Sequence, residues 1–243
     1  MLIDSPENKQ KIYEQFLEIC QTNGWNQDSL DLAFKELKLD TNLSDLIFEN
    51  GPLDLANLYI EKQNHQSDLK LQKIKDFKNA KIRDKIRFSI YARFEVEKDN
   101  KLILQRLSRY YSSYKNLNNF EQGIRPAISG LAFPLKIADF IWKNIGDTST
   151  DLNYYSKRLI LAKILFLSFM VFYDDETKDL AKTKEFIDKQ IDKVMSFEKC
   201  KSSIKAKASD IKDAINSLVL DDGGNLKEPT KILKELPFIR LFR

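Results

Sequence analysis

Only one histidine and two cysteines occur in 243 residues. His65, Cys20 and Cys200 stand far apart, so neither a zinc site with ordinary ligand spacing nor a disulfide framework can be drawn. Cysteine usage of this kind fits a reducing compartment. Also missing are a Gly-rich phosphate loop, a GxSxG elbow and the ExxH pairs that build a di-iron bundle. Carboxylates alone could do acid–base chemistry, but nothing in the sequence singles out a pair. The expectation is a protein that is not an enzyme, with no catalytic residue, no metal ligand and no cofactor.

Glycine and proline are also scarce, at 7 and 6 residues. The long intervals between them are rich in Leu, Ile, Lys and Glu, which favours helices over short strands. An all-α fold of about nine to ten helices is expected. The longest apolar run, LILAKILFLSFMVFY at 159–173, is fifteen residues long and contains Lys163. That is too short to span a membrane and suits a buried helix. The opening MLIDSPENKQ has no secretory or presequence pattern. Together with the Lys, Ile and Asn bias, this gives the expectation of a bacterial cytoplasmic protein.

What is present is helical periodicity. Ile12, Phe16, Ile19 and Cys20 mark a first helix over about 7–22, with Gly24 as its stop. Asn26 or Asp28 can cap a second, and a third is expected from Thr41–Asn42 through Leu43, Leu46 and Ile47. A longer helix follows from about Leu53. Three short helices heading a helical body have the shape of a helix-turn-helix module over 1–62, before a helical domain over 63–222 and a linker and tail over 223–243.

The chemistry of that module argues against DNA. Between Leu39 and Glu61 there is no Lys or Arg, while Asp40, Asp45, Glu49, Asp54 and Glu61 are acidic. Groove-docked helices draw affinity from basic side chains and read bases with Arg, Lys, Asn or Gln. Asn42 and Asn50 alone cannot do this, so no nucleic-acid partner is expected. A ligand-responsive transcriptional regulator is the alternative that this acidic stretch opposes.

Residues 70–115 carry fourteen Lys or Arg against five acids. Solvated faces explain single lysines; the summed excess points to a membrane-facing or partner-facing surface. Farther on, Pro126 and Pro134 are expected to bracket short helical pieces before a helix over Leu135–Asn144 that carries a core Trp142. Another helix is expected over about Thr177–Glu198. Ile204, Ala208, Ile211, Ile215 and Leu218 form an amphipathic stripe. The tail mixes Phe238 and Phe242 with Arg240 and Arg243, which suits either an interfacial anchor or docking on the body or a dimer mate.

Ahead of the apolar run stands GDTSTDLNYYSKR, residues 146–158. Gly146 can end one helix, and Thr148 with Asp151 has capping-box spacing for the next. Capping alone accounts for GDTSTD. It does not account for Tyr154, Tyr155, Lys157 and Arg158, since aromatics grouped with Arg are what interface centres favour.

The stretch IGDTSTDLNYYSKRLIL, with DFIW before it and Asp175, Thr183, Phe186 and Ile191 after it, resembles the COQ-nine family of ubiquinone-biosynthesis proteins. The resemblance is strong over about 126–195, and weaker similarity reaches back to NGW at 23–25 and FENG at 48–51. It implies a TetR-repressor-like helical fold without DNA binding. It implies a homodimer that holds an isoprenoid lipid or quinone intermediate and presents it to the demethoxyubiquinone hydroxylase. On this resemblance Asp151, Tyr154, Tyr155 and Arg158 would contact that partner. Phe133, Ile141, Leu161, Leu165, Phe169 and Phe172 would wall the lipid cavity. Relatives dock an amphipathic helix near the C-terminus on membrane, which by position matches Ser202–Val219 with Ile204, Ile211, Ile215 and Leu218, peripherally at a bacterial inner membrane. Phe238 and Phe242 are candidate membrane contacts from the tail's own composition. The pattern departs from the family at Tyr154, where relatives carry Trp, and at Lys184, where a second Trp is common. The tail over 226–243 has no counterpart.

Overall fold

The computed structural model describes residues 5–112 and 129–203. Over these residues the chain is all-α, in nine α-helical segments joined by turns and short 3₁₀ pieces. They are α1 (Pro6–Asn23), α2 (Gln27–Glu36), α3 (Ser44–Ile47), α4 (Pro52–Leu71), α5 (Ile82–Glu97), α6 (Lys101–Ser112), α7 (Ser129–Asn144), α8 (Asp151–Tyr173) and α9 (Ala181–Ser203). Local signals set the first boundaries. Ser5 accepts from the Asn8 amide at the start of α1, and Gly24 ends it at φ 90°. Asn26 accepts from the Ser29 amide to open α2.

Helices α1 and α2, a brief third element and a long α4 entering the body form the TetR-repressor-like layout expected from the sequence. The third element is shorter than expected: a 3₁₀ turn over Thr41–Leu43, then the four residues of α3, with Leu46 exposed at 69%. Asp40 caps the 3₁₀ turn through the Asn42 amide, which draws those residues into the tighter winding. A single α-helical turn without a basic side chain is a poor probe of a major groove. Helix α4 runs unbroken through 62–63, so the N-terminal module and the body share a helix. Trp25 joins them further, packing edge-on against Phe16 and Tyr59 and donating its indole N–H to the Pro52 carbonyl at 2.8 Å.

A buried polar bridge ties α4 to α5. The Tyr59 hydroxyl donates to Glu97 at 2.5 Å, and Arg93 Nη2 approaches Glu97 Oε1 to 2.7 Å as an ion pair without in-line hydrogen-bond geometry. Burial pushes the Glu97 carboxyl up, against the pull of Arg93 and the Tyr59 hydroxyl. On its outer face α5 meets α9 through a ladder of ion pairs: Arg83 with Asp192 at 2.8 Å, Arg87 with Asp188 at 2.6 Å, and Lys184 with Glu95 at 2.7 Å. Arg83 and Arg87 of the basic stretch 70–115 are thus paired within the fold. The ladder also absorbs one departure from the family pattern, since Lys184 reaches over the Tyr91 ring at 5.5 Å while it pairs with Glu95.

Helix α7 differs from the expected broken segment. It is continuous, with Pro134 as its sixth residue, where the missing N–H removes one backbone bond. Asp175 closes the α8–α9 connection by accepting from the backbone and hydroxyl of both Thr177 and Thr183. These hydrogen bonds overcome the cost of burial and hold its carboxyl well below the usual carboxylate range.

Candidate functional site at the corner of α7 and α8

The turn between α7 and α8 is built around two carboxylates and one guanidinium. Gly146, at φ 82°, ends α7 in the left-handed conformation that glycine adopts without penalty. Helix α8 starts at Asp151 with Thr150 at its cap position, and the Thr150 side chain makes no cap hydrogen bond. The expected Thr148–Asp151 capping box rests on Asp151, whose side chain lies outside those described. Asp147 organises the turn, accepting from the Ser149 amide at 3.3 Å and from its hydroxyl at 2.6 Å.

Asp147 has a second task, so capping alone does not explain GDTSTD. Its side chain is 4% exposed and pairs with Lys157 Nζ at 2.8 Å and with Arg158 Nη1 at 3.2 Å. Burial pushes its carboxyl up, but hydrogen bonds from Lys157, Ser149 and Arg158 outweigh this and hold it well below the usual range. Across the corner Arg158 Nε donates to Asp139 at 2.7 Å, and Asp139 also takes Lys143 at 2.6 Å and the Tyr154 hydroxyl at 3.2 Å. The Arg158 guanidinium sits 3.4 Å from the Tyr154 ring centroid and donates to the Tyr154 carbonyl at 3.1 Å. Trp142 lies in the core, as expected, and joins the same corner, donating to the Lys157 carbonyl at 3.1 Å with Lys157 Nζ above its ring at 5.0 Å.

The candidate partner residues thus have different positions. Arg158 is buried and committed inside the corner. Tyr154 is half-buried, and Tyr155 is 59% exposed with its ring edge-on to Tyr154 at 5.2 Å. Asp151 is the first residue of α8, and its side chain lies outside those described. What the arrangement can do is hold an aromatic in a fixed pose, because both carboxylates are already neutralised by cations. Asp139 and Lys143 are members of the site that the sequence pattern does not single out; their i, i+4 spacing is the available signal.

The candidate lipid residues also divide. Phe133 and Phe169 stack at 5.4 Å and line a groove of about 520 Å³ between α6, α7 and α8. Gln105, Ser108, Arg109, Phe166, Met170 and Tyr173 complete much of its wall. Its size is that of a small-molecule site. Leu161, Leu165 and Phe172 are buried in the core, with Phe172 against Phe94 at 5.0 Å, and Ile141 borders a separate small void beside Arg93. The candidate membrane residues Ile204, Ile211, Ile215, Leu218, Phe238 and Phe242 lie outside the described residues. Among the described residues no cluster of His, Cys, Asp or Glu could hold a metal ion, and no helix is long and apolar enough to cross a membrane.

The comparisons with known proteins fall on this same corner. A family model named COQ9 matches residues 129–198, which contain α7, the Asp147 turn and α8. A probable ubiquinone biosynthesis protein coq9, mitochondrial, of Dictyostelium discoideum is 23% identical over 199 residues, covering 82% of this chain and 63% of that protein. The ubiquinone biosynthesis protein COQ9, mitochondrial, of Rattus norvegicus is 22% identical over 196 residues, covering 81% and 61%. Its Homo sapiens counterpart is 21% identical over 196 residues, covering 81% and 60%. The chain spans about three fifths of the length of these curated relatives. The matched segment includes the turn that Asp147, Tyr154 and Arg158 build, and over it the chain is similar to the COQ9 family.

Proposed function

We propose that this chain is a non-enzymatic accessory protein of ubiquinone biosynthesis. It holds an isoprenoid or quinone intermediate in an apolar site and presents it to the demethoxyubiquinone hydroxylase at a membrane surface. The names of its relatives support the pathway. The observation that carries the presenting role is the corner itself: Tyr155 stands out from a scaffold whose charges are satisfied internally, an arrangement suited to docking.

The groove lined by Phe133, Phe166, Phe169 and Met170 supports the cargo role. Each methylene withdrawn from water there gains about 0.8 kcal/mol, so an apolar lining can compete with a bilayer for a polyprenyl chain. Native mass spectrometry of the purified chain, followed by solvent extraction, tests this part. A co-purifying isoprenoid or quinone is expected, and a chain that carries no lipid when purified from a ubiquinone-producing host would contradict it.

A further inference from the structure

We infer that the turn joining α4 to α5 is a second contact surface, made for an anionic lipid bilayer. Lys73, Lys75, Lys78 and Lys81 are all exposed along it, and Ile82, which follows directly, is 62% exposed. Ile74 and Phe77 are half-buried between the lysines, and the turn is wound tightly by backbone bonds from Lys73, Ile74, Phe77 and Asn79 to carbonyls three residues earlier. The acids nearby are few. Asp84 is paired with Arg87, which leaves Asp76 and Asp68, the latter hydrogen-bonded by the neutral amides of Asn144 and Gln72, against the four lysines.

Six other basic residues of this region have partners within the fold. Arg83 and Arg87 pair with α9, Lys70 with Glu95, Arg93 with Glu97, Arg106 donates to the Gln21 carbonyl and Lys101 to that of Asp175. Lys98 and Arg109 are exposed too, farther along the chain, but the densest outward charge is the four lysines within residues 73–81. Lysines interleaved with an exposed isoleucine suit a bilayer, where ammonium groups meet lipid phosphates and the apolar side chain enters the headgroup boundary. A nucleic acid or acidic protein would use the charge and leave Ile82 in water.

Position supports the same occupant. Asn144, at the end of α7, donates to Asp68 at 2.9 Å near the end of α4, so the Tyr155 corner and the lysine turn share one end of the molecule. Helix α9 runs towards that end too: Asp192 meets Arg83 at the start of α5, and the helix continues to Ser203, about 16 Å farther at 1.5 Å per residue.

This inference deepens the membrane part of the proposed function, yet it is read without quinone or hydroxylase, so each can fail alone. The full chain is titrated with vesicles of phosphatidylcholine containing phosphatidylglycerol, and with phosphatidylcholine alone. Replacing Lys73, Lys75, Lys78 and Lys81 together by Gln should weaken binding to the anionic vesicles by at least about tenfold, with an unchanged melting temperature. In a separate Ile82→Trp variant, indole emission above the wild-type background should be quenched by brominated lipid. Wild-type binding by the quadruple variant, equal binding to both vesicle types, or an unquenched Trp on vesicle-bound protein would each overturn the assignment. So would retention on heparin without any binding to vesicles.

Discussion

The Arg158 guanidinium lies 3.4 Å from the centre of the Tyr154 ring, and the same group ion-pairs with Asp139 on α7 and Asp147 in the turn. One side chain therefore fixes the crossing of two helices and the pose of the aromatic pair on α8. The first two turns of α8 act as a platform, with Arg158 under it and Tyr155 on top.

Removing the guanidinium should loosen the platform. Arg158→Ala leaves Asp147 covered and short of one of its two cations, and the expected cost is about 3 kcal/mol. Urea unfolding reads it as a lower midpoint at an unchanged slope. Arg158→Lys should restore only part, because a single ammonium cannot reach both carboxylates in the fork geometry that Arg uses.

Tyr155→Ala should separate stability from recognition. With 59% of the residue exposed, its removal should change folding stability by less than about 0.5 kcal/mol. Binding to the hydroxylase should fall by roughly 2 kcal/mol, about thirtyfold, if Tyr155 is an interface anchor. Tyr154→Phe, which removes the hydrogen bond to Asp139, should instead cost about 1 kcal/mol of stability. Equal affinities for wild type and Tyr155→Ala would remove this residue from the docking face.

Acid should weaken the fold through two carboxylates. Asp147 and Asp175 are both held well below the usual carboxylate range by hydrogen bonds that outweigh burial. A depressed folded-state pKa gives stability that is full above the unfolded value and lost as pH falls through the folded one. The loss should begin near pH 4 and deepen below it. Denaturant midpoints measured from pH 7 down to pH 3 should show this limb. Asp147→Asn and Asp175→Asn should each flatten it while lowering stability at pH 7.

Cargo and core can be told apart along α8. Met170 is 47% exposed and faces the groove, so Met170→Trp should fill its mouth, sharply reduce co-purifying lipid and leave stability nearly unchanged. Leu165 is fully buried, and Leu165→Ala should cost about 3 kcal/mol as a core cavity. Lipid extraction together with thermal melts of both variants checks the pair; a Met170→Trp variant with wild-type lipid content would move the cargo out of this groove.

What the sequence disclosed and what it hid follow from the range of the forces involved. The ends of α1 and α2 were legible because Gly24 and Asn26 act within a few residues. The apolar run of α8 was legible as a buried helix, but its two walls were not. With apolar residues on nearly every face, periodicity cannot say that Phe166 and Met170 look into the groove while Leu161 and Leu165 look into the core. Arg158 read as an interface residue because its partners are remote, Asp139 nineteen and Asp147 eleven positions away. The importance of 146–158 was visible in its residue types, while the division between the buried Arg158 and the exposed Tyr155 needed the packing of α7 on α8. Pro134 misled because a proline signals a break, and the contacts of α7 with α8 and α6 outweigh one lost backbone bond.

The central claim is that this chain delivers a quinone intermediate to the hydroxylase through the α7–α8 corner. It is tested most directly by the quinone profile of cells in which the gene is deleted and then restored as wild type or Tyr155→Ala. The account predicts a demethoxyubiquinone-type intermediate in the deletion, cleared by the wild-type chain and retained with Tyr155→Ala. An unchanged quinone profile on deletion would contradict it.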